Sequence, residues 1–304
     1  MSVLYRCDCL EYLRKLPDNS VDLVFCSPPY ETARTYGIGF CLKGQDWVDW
    51  CVERYVECVR VCKGLVAWVV EGQTRQFRWS ATPVLLMADL HRAGVRLRKP
   101  PIFNRIGIPG SGGPDWLRND YEFVVCATKG KLPWSDNTAM GHPPRWAPGG
   151  AMSNRQVDGR RMNVVKPWGE GGDMPETRSG DAVRRPQKVQ TRRKANEERL
   201  RDGVYEMPVL ANPGNIVKCK VGGGLMGSKI AHENEAPFPE KLVEPFVRSF
   251  CPPGGLVLDI FCGSGTTGAV AIRTGRRFIG VDIRESEIEK TSRRLKEIQP
   301  ELIA

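Results

Sequence analysis

Two short stretches hold residue types that could do chemistry on a bound ligand. The first is Ser27-Pro28-Pro29-Tyr30, directly after the apolar run VDLVFC. Two prolines stiffen the backbone and remove two N–H donors, so carbonyls there can point outward as fixed acceptors. The Ser27 hydroxyl adds another acceptor, and Tyr30 adds a flat face. Together they suit an aromatic ring bearing an –NH2 group, which the oxygens hold by its amine while the ring stacks on tyrosine. A proline turn with a solvent-facing tyrosine is the plain alternative. The second stretch is LVLDIFCGSGTTG, residues 256–268. A hydrophobic strand runs into Gly263-Ser264-Gly265, and a helix follows at once. These glycines adopt backbone angles other residues resist and let a ligand approach the main chain. The helix N-terminus beyond them favours a negative group. Asp282 ends the next strand, where an acid can accept hydrogen bonds from both hydroxyls of a ribose. Strand, glycine turn, helix, strand and acid describe a nucleotide pocket. Gly263, Gly265 and Gly268 also satisfy G-x-G-x-x-G, so a dinucleotide site stays open, as does a tight turn with no ligand.

The elements that must position these residues alternate between strand and helix patterns. Strands are expected at 2–6, 21–26, 65–70, 101–106, 121–128, 255–261 and 277–282. Helices are expected at 8–16 with Asp8 as N-cap, and at 45–62, 83–91, 239–250, 266–274 and 285–297. Gly64 is expected to close the second helix. Arg293, Arg294 and Lys296 sit in the last turn of the final helix, as its dipole favours. Alternation of this kind argues for a parallel α/β sheet. Only about 50 residues follow Gly255, too few for a complete nucleotide-binding sheet, so the remaining strands come from the N-terminal half. Between the halves, residues 131–204 are rich in Gly, Pro, Arg and Asn and poor in aliphatic residues. A basic cluster there comprises Arg178, Arg184, Arg185, Lys188, Arg192, Arg193, Lys194, Arg199 and Arg201, downstream of Trp134, Trp146 and Trp168. Such a segment cannot bury a core of its own size, so it is an insert or a module ordered by its partner. The reading is three parts: 1–130 with the Ser-Pro-Pro-Tyr turn, the basic insert 131–204, and 205–304 with the glycine turn.

The chain has 304 residues, a net charge of +10 and a pI near 9.1. That balance suits a polyanionic partner, most commonly nucleic acid; a solvated basic surface is the alternative. Eleven cysteines include no CxxC pair, and the three histidines stand far apart. This implies a reducing cytoplasm, no disulfide framework and no metal. The longest apolar run, LVAWVV, is far too short to span a membrane, and the first residues lack a secretory pattern.

These motifs, in this order, resemble the β class of amino-group DNA methyltransferases: SPPY early, a basic insert, DIFCGSGTT late. HENEAPFPEKL, with Phe238, resembles the cofactor-flanking motif of that class, and YRCDCLEYL the region carrying a further acid, Asp8. Arg34 and Tyr36 resemble the short extension common after SPPY. The resemblance implies a Rossmann-like fold dependent on S-adenosyl-L-methionine (AdoMet). It implies a mostly parallel seven-stranded sheet with helices on both faces, in permuted order, with an inserted target recognition region. It assigns catalysis to Ser27, Pro28, Pro29 and Tyr30. It assigns cofactor binding to Asp8, Phe238, Asp259, Phe261, Gly263, Gly265, Thr266 and Asp282. It assigns double-stranded DNA to Arg34, Arg184, Arg185, Lys188, Arg192, Arg193 and Lys194. It implies no membrane and no metal, and it admits a homodimer and a cognate restriction endonuclease.

In the implied mechanism the base leaves the duplex. Hydrogen bonds to Ser27 and a Pro28 carbonyl draw its amine toward tetrahedral geometry for in-line attack on the sulfonium methyl. No enzyme nucleophile is needed, so Cys26 and Cys262 receive no such role. Methylation at carbon 5 of cytosine would need a Pro-Cys motif, and the chain has only Cys251-Pro252, in reverse order. Within the class SPPY leans toward cytosine N4, with adenine N6 as the alternative. An NAD-type oxidoreductase and an inactive DNA-binding protein are the readings outside it.

Overall fold

The computed structural model describes residues 2–31, 37–107, 115–142, 210–221, 226–233 and 237–299. Strand β1 (Ser2–Arg6) leads into α1 (Cys9–Lys15), then β2 (Val21–Cys26), α2 (Gly44–Val61) and β3 (Cys62–Val70). A small hairpin follows, β4 (Thr74–Arg75) and β5 (Arg78–Trp79), then α3 (Thr82–Arg92). Next come β6 (Leu97–Arg98), β7 (Ile102–Ile106), β8 (Tyr121–Ala127) and β9 (Ile216–Lys220). A 3-10 turn (Lys229–Glu233) precedes α4 (Glu240–Phe250), β10 (Leu256–Asp259), α5 (Thr266–Arg273), β11 (Arg277–Asp282) and α6 (Glu285–Ile298).

The main sheet runs β1-β11-β10-β2-β3-β8-β7-β9, with β6 also paired to β8. The pairs from β1 through β3 are all parallel, as is β7 with β9, and β8 alone runs antiparallel to its neighbours. The expected α/β fold and permuted order hold: β10 and β11, from the end of the chain, sit between β1 and β2. The sheet has nine strands rather than seven. The additions are the two-residue β6 and the edge strand β9.

Strand alternation divides the core between two faces. Val24 and Cys26 of β2, with Val66 and Trp68 of β3, pack against Leu13, Trp47, Tyr55 and Leu86 of α1, α2 and α3. Leu23 and Phe25, with Leu65, Ala67 and Val69, pack against Leu242, Phe246, Ala269 and Leu295 of α4, α5 and α6. Both faces are therefore covered, which is why these strands read as unbroken apolar runs.

Gly64 corrects an expectation. Helix α2 stops at Val61, and Gly64 lies inside β3 rather than capping the helix. A Cβ there would stand 2.0 Å from the Asp22 carbonyl, at the register shift between β2 and β3. The glycine permits a close approach of two backbones.

The chain divides into a unit of residues 1–140 with 213–304, and a second unit of 141–212. In the second, the described residues show one antiparallel bridge, His142 to Ala211. No described helix is long and apolar enough to cross a membrane.

Candidate active site

Because β1, β2, β10 and β11 are parallel, the segments after them leave the same carboxyl edge, where α/β sheets bind ligands. They surround a cavity of about 260 Å3. From β1 come Cys7, Asp8 and Cys9; from β2, Ser27, Pro28 and Pro29; from β10, Phe261, Cys262, Gly263, Ser264 and Thr266; from β11, Asp282. Phe238, Phe40 and Trp50 close the apolar side. Two motifs far apart in sequence thus share one cavity.

The glycine turn is held from behind. Gly265 adopts φ 78°, and a Cβ there would meet the Thr291 methyl at 2.8 Å. Any side chain would be both strained and obstructed. Thr291 Oγ1 donates to the Gly263 carbonyl at 2.6 Å, and the Gly263 N–H donates to Asp282 at 3.0 Å. Arg294 is 1% exposed and gives its guanidinium to the Ser264 carbonyl (3.1 Å), Thr266 Oγ1 (3.0 Å) and Glu240 (2.7 Å). Arg294 is therefore a buried clamp on the turn, not the solvent-facing complement to the helix dipole expected from its position.

Asp282 accepts from two backbone N–H groups, those of Gly263 and Arg284. A carboxylate has about four acceptor sites, so capacity remains for hydroxyls. Asp259 and Gly265 do not line the cavity. Asp259 lies buried behind the turn and accepts from the Phe261 N–H at 3.0 Å. Burial pushes its carboxyl up to about 7, whereas an unfolded Asp titrates near about 3.9. The folded chain holds this proton longer than the unfolded chain, so the group's contribution to stability falls as pH rises between those values. Asp259→Asn keeps an oxygen for the Phe261 N–H and removes the titration. Its melting temperature should exceed that of the wild type progressively from about pH 4 to pH 7. Parallel melting curves for the two proteins would contradict this role.

Asp8 caps α1 by accepting from the Leu10 and Glu11 N–H groups. Arg54 reaches it at 3.8 Å, with its guanidinium lying 4.0 Å over the Trp50 ring. Phe261 stacks on Trp50 at 5.7 Å, and Phe238 meets Phe25 edge-on.

The Ser-Pro-Pro-Tyr turn is pinned in two places that its sequence does not reveal. The buried Trp47 indole donates to the Pro29 carbonyl at 2.8 Å, so that carbonyl does not point outward as expected. Tyr30 lies beyond the cavity wall, and its hydroxyl donates to Glu122 at 2.6 Å. Glu122 is 7% exposed and pairs with Arg105 at 3.1 Å. Burial raises its carboxyl, with Arg105 acting in the opposite direction. Glu31 is also buried and accepts from the Gly44 and Gln73 N–H groups. Trp47, Glu31, Glu122, Arg105 and Arg294 escaped sequence reasoning. A charge inside an otherwise apolar run, as in YEFVVCA, is the one signal that could have found Glu122.

Burial drives the thiols of Cys26 and Cys262 well above their usual range, so neither is a thiolate at neutral pH. Among the described residues no cluster could hold a metal ion. Arg34, Arg184, Arg185, Lys188, Arg192, Arg193 and Lys194 lie outside the described residues.

A parallel sheet with a nucleotide-type turn and an amine-receiving turn at one mouth defines an α/β transferase-like site. The chain belongs to the N6/N4 DNA methylase family, whose model matches residues 21–293. It is 26% identical over 289 residues to the DNA adenine methyltransferase YhdJ of Escherichia coli K12, covering 95% of this chain and 80% of that one. It is 25% identical over 291 residues to the orphan methyltransferase M.BamHII of Bacillus amyloliquefaciens, covering 92% and 90%. The fold matches PvuII DNA methyltransferase (cytosine-N4-specific) with a TM-score of 0.62 at 19% identity, covering 96% and 86%. It also matches a DNA modification methylase of Thermus thermophilus, TTHA0409, complexed with S-adenosyl-L-methionine, with a TM-score of 0.56 at 19% identity, covering 100% and 99%.

Proposed function

We propose that this DNA methyltransferase moves a methyl group from AdoMet to the N4 amine of a flipped cytosine in double-stranded DNA. The observation that carries the reading is the shared cavity, which holds Ser27 and Pro28 on one wall and the glycine turn with Asp282 on another. The chain fits AdoMet by its donors and acceptors. Asp282 has acceptor capacity for ribose hydroxyls, the glycine turn exposes main chain, and Phe238, Phe261 and Trp50 give an apolar wall. Asp259 and Gly265 serve by shaping the turn. When bound, AdoMet supplies an electrophilic methyl group. The chain's own work is to orient the base, accept from its amine through Ser27 and the Pro28 carbonyl, and exclude water. Tyr30 offers a stacking face, set in orientation by Glu122. The protein acts in the cytoplasm. Homodimerisation and a partner nuclease are compatible with this role.

The base assignment rests on Ser27 at the head of the turn. PvuII DNA methyltransferase, the cytosine-N4-specific structural match, favours the same base. YhdJ, an adenine methyltransferase, keeps adenine N6 as the second reading. Hydrolysed DNA from an expressing host should contain N4-methylcytosine, and a Ser27→Ala host should lack it. Finding N6-methyladenine alone would transfer the assignment to the second reading.

The basic cluster of the insert is assigned to DNA phosphates. Replacing Arg192, Arg193 and Lys194 by alanine should make the log–log salt dependence of duplex binding shallower by roughly one unit per lost contact. An unchanged slope would return the cluster to a solvated surface.

A further inference from the structure

The β4–β5 hairpin carries an aromatic ring that the fold does not use. Phe77 is 80% exposed. It occupies the second central position of the two-residue turn Arg75-Gln76-Phe77-Arg78, closed by the pairs Arg75–Arg78 and Thr74–Trp79. Gln76 and Phe77 both have positive φ, 47° and 61°. A tight hairpin turn of this hand prefers Asn-Gly, because a β-carbon resists that conformation. A phenylalanine held there in solvent gives the folded chain no burial in return. It is flanked by two exposed arginines, and no acidic residue occurs from Gly72 to Ala88.

The root of this hairpin is fixed to the candidate site. The Gln73 N–H donates to Ser80 Oγ at 3.0 Å, and the Ser80 N–H donates to the Gln73 carbonyl at 2.9 Å. Glu31, the residue after Tyr30, accepts from the Gln73 N–H. The Trp79 indole donates to Glu71 at 3.2 Å. Strands β2 and β3 are parallel neighbours, so the hairpin and the Ser-Pro-Pro-Tyr turn leave the same edge of the sheet side by side.

We propose that Phe77 is a wedge: the hairpin enters the duplex beside the site, the Phe77 ring fills the stack the target base has left, and Arg75 and Arg78 face the flanking phosphates. This rests on the methyltransferase reading given above. Apolar side chains inserted between base steps are a known means of holding a duplex open, and a flipped base leaves a gap of that kind. Charge selects the occupant. A phosphate-lined groove complements the two arginines, whereas a second copy of this chain, itself at +10, opposes them.

The test uses the full chain and duplexes bearing its site as mapped from host DNA, with the target base either paired or set opposite an abasic position. Phe77→Ala should lower methyl transfer to the paired duplex at least about tenfold and leave the abasic-opposed duplex within about twofold of wild type, because an unpaired base needs no wedge. Phe77→Trp should retain transfer to both. A 2-aminopurine at the target position should brighten when wild type binds and stay dim with Phe77→Ala, which reads the wedge without any methyl transfer. Equal losses on the two duplexes, no loss on either, or unchanged brightening would overturn the proposal. So would a dimer that falls to monomer in Phe77→Ala, which would make the tip a protein interface. If wild type brightens the probe and labels neither duplex, the methyltransferase reading fails and the wedge stands.

Discussion

Tyr30→Ala is expected to lower methyl transfer by roughly 5- to 150-fold, the kinetic equivalent of the about 1–3 kcal/mol that stacking a base on an aromatic ring provides. AdoMet affinity should not change, because Tyr30 lies outside the cavity wall that holds the glycine turn. Tyr30→Phe separates the ring from its anchor. It keeps the stacking face and removes the hydroxyl that Glu122 accepts, leaving that buried carboxylate with Arg105. An intermediate loss is expected, since a freed ring must be ordered when the base arrives. Single-turnover rates on duplex DNA give the comparison. A wild-type rate in Tyr30→Ala would mean that the base sits elsewhere.

Asp282→Ala should weaken AdoMet binding at least about tenfold, since hydrogen bonds to a charged acceptor contribute on the order of 1.5–3 kcal/mol each. The structure adds a second cause. The same carboxylate holds the Gly263 and Arg284 N–H groups, so its loss also loosens the turn. Asp282→Asn retains one oxygen for the backbone, and it should recover the fold of the turn more fully than the affinity. Calorimetric titration of both variants with AdoMet reads the difference. Unchanged affinity in Asp282→Ala would remove Asp282 from the cofactor site.

The strands through the middle of the sheet were legible because burial on both faces makes them apolar runs, as in VDLVFC and LVAWVV. Edge strand β9 was not, because Lys218 and Lys220 leave the short IVKCK segment half polar. The β4–β5 hairpin was missed for a similar reason: Gln76-Phe77 is not a turn signal, although the backbone makes the turn. Gly64 showed the limit of local reading. A glycine after a helical pattern suggests a cap, and only the approach of Asp22 from another strand reveals its role. In the site, the lining residues carried signals in their own motifs. The supports did not, because Trp47 from α2, Glu122 from β8 and Arg294 from α6 act across the fold. A buried arginine in a helix's last turn looks like an exposed one until its partners are placed.

The central claim is methyl transfer to DNA at the cavity shared by the two motifs. Its most direct measurement is incubation of the full chain with duplex DNA and AdoMet labelled in the methyl group, followed by counting and hydrolysis of the DNA. Label is expected in the DNA, on an exocyclic amine, from wild type, and it should be lost with either Ser27→Ala or Asp282→Ala. No label in any duplex, or label that survives both substitutions, would contradict the claim.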